Sequence, residues 1–140
     1  MGHATIISHV HRAGGDVSDS LHLLLVAAHQ FVGVEALDAV MSRRLAIIVE
    51  EAVANVLDHG DPARDITITL RLDRDHGRVR VTLEDDSTAF DPRHAAPGAM
   101  PNPERGGGAG LALIRAWSDI VAYEHVDAIN RLVLKLHSRT

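Results

Sequence analysis

Cysteine is absent from this 140-residue chain, which excludes a disulfide framework, a thiolate nucleophile and a Cys-ligated zinc, and leads us to expect a reducing, cytoplasmic setting. Lysine is almost absent, since Lys135 is the only one and every other long cationic side chain is arginine. The P-loop needs a lysine directly after its glycines and the ordinary protein-kinase fold needs one on an early strand, so neither fits. Aromatic residues are reduced to Phe31, Phe90, Trp117 and Tyr123, too few for the stacking platforms of an RNA-binding sheet. Basic excess is also missing: 19 acidic against 14 basic residues give a net charge of -5, which argues against direct nucleic-acid binding. No apolar run approaches the ~18 residues of a membrane span. His3, His9, His11 and Asp16 interrupt the region where a signal peptide would be apolar, so no membrane partner is expected. What is present, 46% hydrophobic and 24% charged residues, reads as a single domain over residues 1–140 with a core of Val, Leu, Ile and Ala.

Along the chain, residues 4–11 are short and rich in β-branched side chains, and Gly14-Gly15 follows, which predicts a first strand. Asp16 or Ser18 can cap a helix whose Leu21, Leu24, Leu25, Ala28 and Phe31 recur at helical spacing until Gly33. Residues 36–59 lack Gly and Pro and end at Gly60-Asp61-Pro62, which predicts a long central helix. The period then changes to two. Ile66, Ile68, Leu70 and Leu72 alternate with polar residues, and Val79, Val81 and Leu83 do the same after Asp75-His76-Gly77, which predicts an antiparallel hairpin. Four of the five prolines and five of the eleven glycines fall within residues 91–110, the composition of a mobile loop. A helix from near Gly110 and strands at about 119–125 and 130–137 complete an α+β fold: a two-layer sandwich with helices on one face of a mixed, mainly antiparallel sheet.

Three stretches could carry chemistry. Glu51 and Asn55 stand four residues apart on the central helix and share a face with His59. An isolated E-x-x-x-N is most often a solvated helix face. The second hairpin strand runs into Glu84-Asp85-Asp86-Ser87 and then Phe90-Asp91-Pro92, an acidic turn that spends a scarce aromatic in a loop. Finally, Arg105-Gly106-Gly107-Gly108-Ala109-Gly110 leads straight into an apolar helix. Bare backbone N–H groups and a helix N-terminus suit an anion, with phosphate the natural guest. His9 and His11 would share one strand face, but no third ligand is fixed near them by spacing.

In this order the three stretches resemble the N box and the two glycine boxes of the Bergerat ATP-binding fold, shared by gyrase and the histidine kinases. Glu51 to Asn55 with His59-Gly60, then Asp85 with Phe90-Asp91-Pro92, then Gly107 to Leu111 with Leu113-Ile114, Asp119 and Tyr123, resemble more closely the anti-sigma factor serine-protein kinases, over about residues 16–137. The resemblance implies that Asn55 holds Mg2+, that Glu51 is the general base for a partner serine, and that Asp85 accepts from the adenine amino group. It implies that Gly107, Gly108 and Gly110 face the phosphates, with Phe90 and Leu111 as further nucleotide contacts. Residues 93–106 would form a lid from which Arg105 reaches the γ-phosphate. Ser87 and Ala89 stand where glycine is common, and a left-handed backbone at Ser87 would carry strain.

The function so implied is an ATP-dependent serine-protein kinase that acts as an anti-sigma factor. It would use ATP and Mg2+, phosphorylate a STAS-domain anti-anti-sigma protein and sequester a sigma factor, with a homodimer possible in the family. Two alternatives stay open: a non-catalytic ATP-regulated binding module of the same fold, and a stand-alone ATPase module of a histidine kinase, whose phosphoacceptor helices would have to lie on a separate chain.

Overall fold

Asp16 and Asp38 each stop an extended segment and start a helix. The Asp16 carboxylate accepts from the Ser18 N–H at 2.8 Å, and Asp38 accepts from the Met41 N–H at 2.8 Å, each satisfying an amide that the helix leaves without an internal partner. In the computed structural model, which describes residues 4–89, 91, 93 and 109–138, these caps open α1 (Val17–Glu35) and α2 (Ala39–His59). Before them lies β1 (Thr5–His11), and after them come β2 (Ile66–Asp75), β3 (Arg78–Asp85), α3 (Ala109–Trp117), β4 (Ser118–Val126) and β5 (Ile129–Leu136).

The first helix runs past Gly33, where the sequence suggests a stop. One glycine inside a helix costs only about 1 kcal/mol relative to alanine, and the chain turns instead at Ala36, in the left-handed region at φ 53°. Consequently the second helix begins at Ala39 and not at residue 36. By length and composition α1 could cross a membrane, although its apolar residues form no unbroken run. Here Leu21, Leu24, Ala27, Ala28 and Phe31 bury one side of it in the core.

The strands form one sheet in the order β1-β2-β3-β5-β4. Every pairing is antiparallel, so the mainly antiparallel sheet expected from sequence is wholly so: β3 and β4, which α3 joins, run parallel to each other but are kept apart by β5 between them. His76 and Gly77 lie at φ 52° and 83°, and Asp127 and Ala128 at 54° and 65°. Positive φ at both central residues matches the right-handed twist of the strands. Ile66, Ile68, Leu70 and Leu72 of β2, Val79, Val81 and Leu83 of β3, and Leu134 and Leu136 of β5 point to the same side, where α1, α2 and Ile114 of α3 cover them in one core. Each Leu, Ile or Phe fully withdrawn there contributes about 1.5–3 kcal/mol. The other face is polar. On it Arg80 donates to both oxygens of Asp73 at 2.9 and 2.7 Å, and Lys135 pairs with Asp75.

Candidate functional site

Between α2 and α3, over β3 and β5, the helices leave a narrow cleft. Ala52, Val56, Leu83, Ile114 and Leu132 make its apolar walls and floor, and Asn55 and His59 enter from α2. Asp85, Ser87, Thr88, Tyr123 and Asn130 form a polar end. This division, an apolar slot with a few polar groups gathered at one end, suits a flat heterocycle with an edge to be read.

The polar end is built around Asp85, the last residue of β3, whose register places it between Ile68 of β2 and Asn130 of β5. Asp85, Ser87 and Asn130 are 5%, 6% and 4% exposed, so each polar atom there needs a partner. The Ser87 N–H and Oγ–H donate to Asp85 Oδ1 at 3.0 and 2.5 Å, and Asn130 Nδ2 donates to the same oxygen at 2.9 Å. All three bonds converge on Oδ1. Among the described residues nothing donates to Oδ2, and a buried carboxylate oxygen at the edge of a cleft is an acceptor awaiting a donor.

Ser87 thus has a different role from the liability read in the sequence. It is absent from the residues at positive φ, so a serine fits without backbone strain, and its hydroxyl helps to fix Asp85. Asn130, Tyr123 and His125 are the site residues that sequence reasoning passed over as contributors. A lone asparagine opening a strand is a weak signal, and only the β3–β5 register shows that it faces Asp85.

On α2, Asn55 lines the cleft and makes no hydrogen bond with a described side chain or backbone group, so its carboxamide oxygen is available to a ligand. His59 lies one turn further along, and burial pushes its imidazole below the usual value against a smaller opposing pull from Asp58. Glu51 lies one turn earlier, outside the cleft lining, and packs against the start of α3. A Cβ added at Gly110 would stand 2.8 Å from Glu51 Cδ and 3.2 Å from its Cβ. A side chain at position 110 would displace the Glu51 carboxylate. The structure therefore brings Asn55 and Asp85 to one cleft and Glu51 and Gly110 to one contact beside it. Leu111 does not line the cleft; it is 1% exposed, and Ile114, one turn on, faces the cleft instead. Phe90, Arg105, Gly107 and Gly108 lie outside the described residues, as does all of the expected lid except Arg93. The Arg93 guanidinium pairs with Asp91 at 2.6 Å, and its carbonyl accepts from Arg115 at 3.4 Å. His9 and His11, the pair weighed for metal, both contact the Ser20 hydroxyl, at 2.9 and 2.7 Å.

Residues 17–136 match the family model described as histidine kinase-like ATPase domain. The chain is also similar to a serine/threonine-protein kinase, BtrW, of Bordetella bronchiseptica, with 29% identity over 98 residues, 67% of this chain and 69% of that protein. Three described helices on a five-stranded sheet are the α+β architecture of the Bergerat ATP-binding fold.

Proposed function

The chain belongs to the family of histidine kinase-like ATPase domains, and on that premise we propose that this ATP-binding, kinase-like domain is a serine-protein kinase acting as an anti-sigma factor. Its substrate would be a serine on a STAS-type anti-anti-sigma protein, and its second partner a sigma factor, in the cytoplasm. The observation that carries the ATP-binding part is Asp85 in the cleft lining, with three donors on Oδ1 and none of the described residues donating to Oδ2. That oxygen complements the amino group of adenine and opposes the carbonyl of guanine. Serine-protein kinase activity rests on the family and on the relative's name.

The residues present also fit a divalent cation. Asn55 offers a carboxamide oxygen, a hard donor of the kind Mg2+ takes alongside waters and phosphate oxygens; Mg2+ held there would neutralise phosphate charge during transfer. Glu51 would accept the proton of the attacking serine hydroxyl. The close approach of Gly110, whose lack of a side chain leaves room for the carboxylate beside the start of α3, supports this reading. Strain at Ser87 would weaken nucleotide binding and so favour the binding-module alternative; Ser87 is not among the residues at positive φ and donates to Asp85, which supports the ATP-binding reading.

The test is transfer. Purified protein, Mg2+ and ATP labelled in the γ-phosphate are incubated with candidate STAS proteins, and acid-stable phosphoserine on one of them is the expected product. Acid-labile phosphohistidine would favour the histidine-kinase module. Sigma-factor binding with no transfer to any STAS protein would leave a binding module.

A further inference from the structure

The buried carboxamide of Asn130 bonds in two directions. Its nitrogen donates to Asp85 Oδ1 at 2.9 Å and to the Ser87 and Thr88 carbonyls at 3.1 and 3.3 Å. Its oxygen accepts from the Tyr123 hydroxyl at 2.5 Å and from His125 Nδ1 at 2.8 Å. Reversing the amide would set its oxygen against three acceptors, so the orientation is dictated by its neighbours, and His125 must carry its proton on Nδ1. Tyr123 and His125 are neighbours on β4 with Glu124 between them, and the pairing of β4 with β5 brings both to Asn130.

We propose that Asn130 is a positioning residue for base recognition: locked by Tyr123 and His125, it holds Asp85 by Oδ1 so that Oδ2 alone meets the cleft. Without that hold only the Ser87 N–H and hydroxyl fix Oδ1, and the carboxylate is freer to turn away from a ligand's amino group. Selection between a 6-amino and a 6-oxo purine would then depend on a chain of three side chains behind Asp85 and not on Asp85 alone. The inference rests on the placement of adenine proposed above.

Binding constants for ATP and for inosine triphosphate, which carries a carbonyl where adenine has its amine, test it by calorimetry between pH 5.5 and 8. Asn130→Asp replaces the donor by a second carboxyl group at the same distance from Asp85. At pH 8 the two repel, and ATP affinity should fall about 30-fold relative to wild type; at lower pH the pair shares a proton, the hydrogen bond to Oδ1 returns, and the deficit should shrink to about 3-fold by pH 5.5. Other groups around the pair, His59 on α2, Tyr123 and His125 on β4, Glu84 and Asp86 beside Asp85, and Arg131 next to Asn130, are common to both proteins. Taking the ratio to wild type at each pH therefore removes most of their titration and that of the nucleotide. A merely structural asparagine would give a deficit that does not change with pH, and that result overturns the proposal.

The double variant Tyr123→Phe/His125→Ala leaves Asn130 in place but unlocks it. Its preference for ATP over inosine triphosphate should drop about 3- to 10-fold with the thermal melt close to wild type, and an unchanged preference also overturns the proposal. This variant carries the test should Asn130→Asp fail to fold. If the wild type binds the two nucleotides equally, or if Asp85→Asn keeps the wild-type preference, adenine does not sit on Asp85 and the underlying reading has failed first. A wild type that prefers ATP, an Asp85→Asn that loses the preference, and a pH-independent Asn130→Asp together refute the role of Asn130 alone.

Discussion

Gly110→Ala should change sign according to what stands at position 51. In the wild-type background the new Cβ runs into Glu51 Oε2 and stands 2.8 Å from Glu51 Cδ and 3.2 Å from Glu51 Cβ, and the first two contacts are too short to survive. The carboxylate is the far end of a flexible side chain and can rotate out of its place, so the overpacking cost lies at the low end of the usual range, about 1 kcal/mol. Against this, alanine is favoured over glycine by up to about 1 kcal/mol in a helix, less at the second residue of α3, and Gly110 is not among the glycines at positive φ that an alanine would strain. The net loss expected is therefore small, up to about 1 kcal/mol. In a Glu51→Ala background the carboxylate is gone and only the milder Cβ contact remains, so the same substitution should be neutral or stabilising by a few tenths of a kcal/mol. Urea denaturation of the four proteins, followed by circular dichroism, closes the double-mutant cycle. A coupling above about 0.5 kcal/mol supports the contact; effects that add within about 0.5 kcal/mol refute it, because residues that do not touch are additive to that degree. Phosphoryl transfer should follow the same contact, since a base displaced by about an ångström loses on the order of 100-fold in rate even when the nucleotide still binds.

Glu51→Ala should leave Mg-ATP affinity nearly intact and cut transfer by about two to four orders of magnitude, whereas Asn55→Ala should lower both together; calorimetry beside a transfer assay separates them. Glu50→Ala should remain active, because Glu50 is exposed and one residue turns a helical side chain about 100° away; equal harm from both glutamates would mean that the helix face is misassigned. On the opposite sheet face, the hydrogen bonds and charge of Arg80 hold the Asp73 carboxyl below the 3.8 of a free aspartate. A depressed folded value contributes stability that is complete above the unfolded value and is lost as pH falls through the folded one. Asp73→Asn should accordingly cost about 1.5–3 kcal/mol at pH 7 and progressively less below pH 3.8; a deficit that persists undiminished in acid counts against the ion pair as its source.

Local signals in the chain state local structure well. The period of two at Ile66, Ile68, Leu70 and Leu72 gives the buried face of β2, and His76-Gly77 gives the hairpin because only a turn with positive φ suits two twisted strands. The long helix carrying Glu51 and Asn55 is legible for the same reason, as is its stop at Gly60. Non-local order is another matter. Nothing in residues 129–136 announces that β5 inserts between β3 and β4, yet that insertion alone sets Asn130 opposite Asp85 and brings Tyr123 and His125 behind it. Ser87 was misjudged by the same limitation, since its effect depends on the direction of its hydroxyl and not on its place in a motif. Leu111 shows the limitation from the other side: helical spacing puts it and Ile114 on one apolar stripe, and only the packing of α3 against α2 decides that Ile114 meets the cleft while Leu111 is buried elsewhere. A motif therefore fixes which residues come near the ligand, and the sheet register fixes what each of them can say to it.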